Sequence, residues 1–377
     1  MTKGTTVPTR QRPLAQAPFM LMAAVALLAA LWGGLQRLAW HIPAVSAETM
    51  MNHGPLMING FLGTVITLER AVALGRNQGG RKRYMVAPIL SALGALALLL
   101  KLPPEVSRGL FVGSALGLVY IFVVIYRMQA GPDHAVLGLA AALWLGGNIL
   151  WLTGWPIPRV VAWWAGFLVL TIAAERLELT RIMLMTKIAR QTFMAVVGLF
   201  VAGLVLALPL PDIGLRVAGL GLFALGVWLI RFDIAKVTIR RKDLTRYIAA
   251  CLLPGYFWLL VSGTLWMVYG ATYSSGQIYD ALLHTVFLGF VISMILGHAP
   301  VIIPAVMGVK IPYKPVFYVH LVLLHVSLVL RVYGDLAGNF PARQWGGMLN
   351  EVAVLLFLIT TIIAARMGPP KARPVTR

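Results

Sequence analysis

The most chemically versatile residues in this sequence are seven histidines, two of which stand at matching places in long apolar segments. His53 lies seven residues before Gly60. His284 lies five residues before Gly289, so at 1.5 Å per helical residue the two imidazoles differ in depth by roughly 3 Å. Neutral imidazole is a good ligand for haem iron, and two facing histidines give a six-coordinate, electron-transferring haem. We therefore predict a bis-histidine site at His53 and His284. The alternative is that each histidine bonds a backbone carbonyl or water.

Three further histidines and a methionine are candidates for additional metal ligands. His320 and His325 are five residues apart, which places them about 140° apart around a helix, so they do not easily share one ion. Together with His298 they are candidates for a second haem, a copper ion or a proton path, and polar packing between helices is the alternative. Met57 lies near His53 among other methionines. Its thioether suits Cu(I), although methionine in an apolar helix usually serves packing.

Two arginines near the C-terminal end are candidate counter-ions for haem propionates. Arg331 lies in the outer half of the predicted eleventh helix, and Arg343 follows in the next outer loop. A guanidinium matches the fork of a carboxylate, so either arginine suits a propionate. The alternative for Arg331 is a simple helical pair with Asp335. His41 and His134 lie in predicted loops, where we expect both to be solvated.

The composition determines which elements position these residues. Hydrophobic residues make up 59% of the chain, charged residues 12%, and the mean hydropathy is +0.84. These values are typical of polytopic membrane proteins. We predict an all-α membrane protein whose first apolar stretch is a retained helix and whose tenth helix kinks near Pro300 and Pro304. The twelve predicted spans are 17–36, 53–75, 84–101, 108–127, 135–154, 158–180, 192–209, 214–231, 247–270, 279–304, 315–334 and 345–365.

The net charge of +20 invites a nucleic-acid interpretation, but the distribution of charge argues against it. With the N-terminus inside, most of the 32 lysines and arginines fall in inner segments. The positive-inside rule then predicts that both termini are cytoplasmic. The basic loops are expected to lie against anionic lipid headgroups. The predicted location is the inner membrane of a bacterium, with the lipid bilayer as partner and no nucleic acid.

A short sequence motif recurs in every fourth predicted helix. Gly60-Phe61-Leu62 is followed by Glu69-Arg70, and Gly166-Phe167-Leu168 is followed at the same spacing by Glu175-Arg176. Gly289-Phe290-Val291 is followed, nine residues after its glycine, by His298. Self-similarity at a fixed period indicates stacked units. We predict one membrane domain, 1–377, of three four-helix repeats at about 1–133, 134–240 and 241–377. The glutamate–arginine pairs are expected to be structural, with proton handling as the alternative.

Several enzyme classes lack their signatures in this sequence. There is no phosphate-binding glycine loop, nucleophile elbow, His-Glu-x-x-His motif or Cys-His haem-attachment site. A covalent c-type haem is therefore excluded, and no catalytic residue is predicted. The single cysteine, Cys251, excludes a disulfide within the chain and is expected to be a small core residue.

Two stretches resemble the NnrS family of haem- and copper-containing membrane proteins. The stretch from Asp280 through His284, Leu296-Gly297-His298 and Leu330-Arg331-Val332 is similar to that family's His-Ala-Leu-Thr helix, Leu-Gly-His turn and Leu-Arg-Val segment. His53-Gly-Pro-Leu-Met57 resembles the family's His-x-His-Glu-Met start, but lacks its first histidine and its glutamate. The architecture also resembles subunit I of haem–copper oxidases, in which histidines of the second and tenth helices hold a low-spin haem. By that resemblance His53 and His284 are the axial ligands.

These resemblances imply a function in the bacterial response to nitric oxide. The prediction is an inner-membrane protein with non-covalent haem b, and with copper as a further candidate, that binds, senses or detoxifies nitric oxide or relays electrons near it. The sequence identifies no redox partner. A secondary transporter of a small solute is the alternative, since twelve helices with internal repeats also occur in that class. A metal-handling or assembly factor is a further alternative.

Overall fold

The computed structural model describes residues 16–43, 50–78, 81–181 and 186–367. The described residues are almost entirely helical and contain no β-strand. The two termini, whose side of the membrane the charge pattern predicts, lie outside these ranges. The predicted all-α class is confirmed.

Twelve helices of the described residues are long and apolar enough to cross a membrane, which confirms the predicted number. We number them in chain order: α1 Ala17–Arg37, α2 His53–Arg76, α3 Lys82–Leu99, α4 Pro104–Met128, α5 Pro132–Leu152, α6 Ile157–Leu179, α7 Lys187–Leu206, α8 Pro211–Phe232, α9 Asp243–Tyr269, α10 Gly276–Met307, α11 Phe317–Leu336 and α12 Phe340–Met367.

Proline and glycine account for several helix ends. Helices α4, α5 and α8 each begin with a proline, which has no N–H to lose in the first turn. This is why α4 begins at Pro104, four residues before its predicted start. Helix α10 ends where Gly308 takes a left-handed conformation with φ of 69°. That conformation favours glycine because a Cβ would clash.

The three helices that contain the recurring motif are the most buried of the described helices. In the most apolar 18-residue stretch of α2, α6 and α10, the share of residues buried is 61%, 72% and 61%. Helix α10 packs against both α2 and α6. An ion pair between Arg70 and Glu175 joins α2 to α6. The centre of the molecule is therefore built from these three helices, and the neighbouring helices pack pairwise around them.

Helices α2 and α10 share a local irregularity at the recurring glycine. Each contains eight residues of π-helix, Leu56–Gly63 in α2 and Thr285–Ile292 in α10. In both helices the histidine of the predicted bis-histidine site precedes this segment. Pi-helical turns are rare in proteins as a whole, and those that occur are often at functional sites. The π-helical segment of α10 ends at Ile292, before the kink predicted near Pro300 and Pro304. The helix continues through both prolines.

The glycine in the π-helical segment of α10 permits close packing with α9. A Cβ atom added at Gly289 would lie 2.5 Å from Cγ of Trp258 and 2.6 Å from its Cβ. Atoms do not approach this closely without displacement of the tryptophan. Gly289 therefore determines how near the two helices lie, and indirectly holds the Trp258 ring in place.

We expect Gly289→Ala to destabilise the protein by about 1–3 kcal/mol, because overpacking displaces Trp258. Gly138→Ala in α5 is the matched control, since a Cβ there meets nothing within 4 Å. The control should be neutral or stabilising by up to about 1 kcal/mol, because alanine favours the helix. Thermal unfolding in detergent measures both. Equal melting temperatures for the two variants would contradict the proposed packing constraint.

Candidate functional site

The two histidines that the sequence pairs do face each other. His53 is in the first turn of α2, and His284 is the residue before the π-helical segment of α10. Their ring centres are 6.4 Å apart and the ring planes are inclined by 33°. A metal–imidazole bond is about 2 Å long, so two rings on one ion have centres roughly 6 Å apart. The separation thus suits two imidazoles that share a metal. We call the end of the bundle with these rings the His53 end.

Each imidazole is oriented by a backbone carbonyl. His53 Nδ1 lies 2.6 Å from the carbonyl oxygen of Ala30 in α1. His284 Nδ1 lies 2.9 Å from the carbonyl oxygen of Asp280, one turn earlier. A carbonyl only accepts hydrogen bonds, so Nδ1 of each ring carries a proton, and Nε2 is the atom that binds a metal in this tautomer. A hydrogen bond of this kind typically orients a metal-binding histidine.

A buried ion pair stands beside His284. The guanidinium of Arg331 in α11 donates to both carboxylate oxygens of Asp280, at 2.7 and 2.9 Å. Arg331 Nη2 also lies 3.3 Å from His284 Nε2. The predicted helical pair between Arg331 and Asp335 is absent among the described residues, because Asp280 occupies the guanidinium. Asp280 was missed as a site residue, although an acid inside an apolar segment is a signal for one.

A second arginine and aspartate extend this cluster. Arg343 Nε lies 3.0 Å from Asp335 Oδ1, and Arg343 Nη2 lies 3.8 Å from Asp280 Oδ1. Asp335 is almost fully buried. The positive charges of Arg331 and Arg343 are therefore already compensated by two aspartates. A role for Arg331 and Arg343 as counter-ions of haem propionates stays a prediction. Each propionate would have to share a guanidinium group with an aspartate.

A glutamate of α12 also reaches the site, and sequence reasoning missed it. Glu351 is 8% exposed. A Cβ atom added at Gly34 of α1 would lie 2.8 Å from Glu351 Oε1 and 3.2 Å from His53 Cε1. The carboxylate and the His53 ring therefore lie against the same point of α1. An acidic residue within an apolar segment was again the available signal.

These residues fit a haem by the chemistry of their donors. His53 and His284 are two imidazoles, each with Nδ1 against a carbonyl, at the separation that one metal ion requires. Gly34 leaves no side chain against the edge of the His53 ring, where a Cβ would be only 3.2 Å from Cε1. Binding at His284 Nε2 replaces its contact with Arg331, which keeps its two bonds to Asp280.

Comparison with known proteins gives a family for the chain. A family model described as a domain of unknown function, DUF8744, matches residues 16–366. The chain belongs to the DUF8744 family. The match runs from the start of α1 into the last turn of α12 and so includes every site residue above. No curated protein matches the sequence.

The other histidines of this DUF8744 chain lie apart from the pair. His298 is fourteen residues beyond His284 on α10, which is about 20 Å along a helix, and its Nδ1 lies 2.7 Å from the Met294 carbonyl. His320 Nε2 lies 3.0 Å from the hydroxyl of Tyr247. His320 and His298 are both remote from the His53 end, so neither is brought to the bis-histidine site.

His325 has protein partners at both ring nitrogens. Trp258 donates to Nδ1 at 3.0 Å, so Nε2 carries the proton and donates to Ser293 Oγ at 3.2 Å. The Ser293 hydroxyl in turn donates to the carbonyl of Cys251 at 2.7 Å. These bonds favour the alternative of polar packing for His325. The metal-binding role predicted for it, and for His298 and His320, remains untested.

Met57 and His134 also have defined surroundings. Met57 is half-buried and packs against apolar clusters that include Ala26 and Leu27 of α1. This contact favours packing, and a copper-binding role for Met57 stays a prediction. The prediction that His134 is solvated is wrong, because the residue is only 8% exposed and its Nδ1 lies 2.7 Å from the Gln129 carbonyl. His41 is exposed, as expected.

At the opposite end of the DUF8744 bundle, residues of the recurring glutamate–arginine motifs form ion pairs. Arg70 of α2 pairs with Glu175 of α6. Arg176 donates to both carboxylate oxygens of Asp233, which follows α8, at 2.8 and 3.0 Å. The first pair therefore joins helices of the predicted first and second repeats, and the second pair ties α6 to the segment after α8 within the predicted second repeat. This arrangement favours the structural role over proton handling.

We expect Asp280→Asn to destabilise the protein by roughly 3–5 kcal/mol, because it removes the partner of a buried guanidinium. Asp212→Asn is the matched control. Asp212 also pairs with an arginine, Arg216, but its side chain is 51% exposed, so little change is expected. Thermal unfolding in detergent measures both variants. An equal, small effect in both would show that the Asp280–Arg331 pair contributes little to stability.

Proposed function

We propose that this protein is an NnrS-like membrane haem protein that holds a non-covalent haem b between His53 and His284. The observation that carries the proposal is the facing pair of rings, 6.4 Å apart, with both Nδ1 atoms oriented by carbonyls. The π-helical segments beside both histidines also support it, since such segments are frequent at functional sites. No motif for hydrolysis or group transfer competes with it.

The proposed work is to bind, sense or detoxify nitric oxide, or to relay electrons near it. When bound, a haem supplies one-electron chemistry and affinity for diatomic gases. The imidazoles of His53 and His284 would hold such a haem, and Asp280 fixes the position of His284. Binding of a gas would then require either a second haem or the release of one histidine. His53 would be the one released, because among the described residues the Ala30 carbonyl is the one hydrogen-bond partner of its ring, whereas Asp280 and Arg331 both contact His284.

The proposed setting is the inner membrane of a bacterium, with both termini cytoplasmic and twelve helices in three four-helix repeats. The sorting of lysine and arginine supports this orientation. The central place of α2, α6 and α10 supports the repeats. In this orientation the His53 end faces outward. The two histidines also suit a copper ion without haem, because imidazole is a good ligand for copper.

A secondary transporter is the second candidate, and one observation favours it. Charged residues of three helices, Asp280, Arg331, Arg343 and Glu351, are buried together at the His53 end. Buried ionisable groups in membrane helices often mark a substrate or ion pathway. An assembly or metal-handling factor is a further alternative, for which Met57 is the supporting residue.

The reduced-minus-oxidised absorption spectrum of purified protein, expressed with a haem precursor, tests the proposal. We expect a b-type spectrum in the wild type. His53→Ala and His284→Ala should each convert it to a high-spin form or abolish it, because each removes one axial ligand. His41→Ala, at an exposed position, is the control and should keep the wild-type spectrum.

Two outcomes would contradict this proposal. A spectrum unchanged in both variants would place the haem elsewhere, with His298, His320 and His325 as the next candidates. A colourless wild-type protein would remove the haem function. Metal analysis of that colourless protein would then separate copper binding from transport.

A further inference from the structure

A second cluster of side chains that can bind a metal lies at the end of the bundle opposite the His53 end. It consists of Asp133 and His134, in the first turn of α5, and Glu178, in the last turn of α6. An oxygen of each carboxylate and a ring nitrogen of the imidazole lie within 4.8 Å of one another. The three side chains therefore surround one point between α5 and α6.

The imidazole of His134 has the orientation of a metal ligand. The residue is 8% exposed, and its Nδ1 lies 2.7 Å from the carbonyl oxygen of Gln129. Because a carbonyl only accepts hydrogen bonds, Nδ1 carries a proton, and Nε2 is the nitrogen that binds a metal in this tautomer. That nitrogen faces the Asp133 carboxylate. A histidine that binds a metal almost always donates its other ring N–H to an acceptor of this kind.

The distance between the two neighbouring side chains suits a shared ion better than a direct bond. His134 Nε2 lies 3.9 Å from Asp133 Oδ2. An N–H···O hydrogen bond extends to about 3.2 Å, so these atoms do not form one. Two ligand atoms of one zinc ion, each bonded at about 2.0–2.2 Å, are roughly 3.5 Å apart in a tetrahedron. Asp133 is 1% exposed and has little freedom to move, whereas the exposed Glu178 side chain can rotate to complete the site.

The three donors select the class of ion. Imidazole suits zinc and other transition metals, whereas magnesium and calcium take oxygen ligands. One imidazole and two carboxylates are three protein ligands, to which zinc adds a water as the fourth. The two carboxylates also compensate the charge of a divalent cation. Arg70 of α2 is close enough to interact electrostatically with Glu178, but its guanidinium is bonded to Glu175.

We propose that Asp133, His134 and Glu178 bind a divalent transition-metal ion, Zn²⁺, which ties the start of α5 to the end of α6. The ion takes Nε2 of the imidazole and one oxygen from each carboxylate. Two of the ligands are buried and held in place, and the third closes over the ion from an exposed position. This site does not depend on the proposed haem, since the two lie at opposite ends of the bundle.

Calorimetric titration of Zn²⁺ into purified full-length protein in detergent, first stripped of metal with a chelator, tests the proposal. We expect a site in the wild type that Glu178→Gln and His134→Asn each weaken by at least about tenfold, because each removes a ligand. Position 178 is exposed, so the glutamine variant should fold. Asparagine retains an N–H near the position of Nδ1 and removes Nε2. Glu105→Gln and His41→Ala, at exposed positions, are the controls and should bind zinc as the wild type does.

Two results would overturn this metal site. One is an equal zinc affinity in the wild type, Glu178→Gln and His134→Asn, which would leave Asp133 as an acid that stabilises the N-terminus of α5. The other is displacement of the zinc by an about hundredfold excess of Mg²⁺, which would show that the carboxylates attract cations without the imidazole. Zinc held by the bis-histidine pair is recognised separately, because His53→Ala removes it and Glu178→Gln does not.

Discussion

The bidentate pair between Asp280 and Arg331 is the interaction on which the His53 end depends. Either charge alone is costly in an apolar interior, and the pair meets that cost with two hydrogen bonds of 2.7 and 2.9 Å. It also joins α10 to α11. Both partners contact the His284 ring, Asp280 at Nδ1 and Arg331 at Nε2. One ion pair therefore sets the helix packing and the position of a candidate metal ligand together.

Small residues and irregular turns allow the central helices to approach one another. Gly289 lets Trp258 of α9 lie against α10, and Gly34 lets Glu351 and His53 lie against the same point of α1. The π-helical segment of α2 begins three residues after His53, and that of α10 begins at the residue after His284. An α-helix with a regular repeat has no such widened turn. The packing that brings the imidazoles together thus uses local geometry that an ideal helix does not provide.

The buried charged groups at the two ends of the bundle have different surroundings. Arg70 pairs with Glu175 of α6 and also lies 3.8 Å from Glu69 of its own helix, and Arg176 pairs with Asp233. At the His53 end, Arg331 and Arg343 pair with Asp280 and Asp335, and two imidazoles face each other beside these pairs. The proposed haem chemistry belongs to the His53 end because imidazole nitrogens are good metal ligands.

The sequence alone determined the class, the twelve apolar helices and the pair of histidines, because hydropathy and spacing along the chain are local properties. It also showed the recurring motif, and the three helices that contain this motif lie at the centre of the molecule. Only the tertiary structure decided which charged residues meet. Arg331 takes Asp280 rather than its helical neighbour Asp335, His134 is buried although the sequence places it in a loop, and Glu351 joins the site from α12. Partner choice depends on how helices pack across the bundle, which spacing along one helix does not encode.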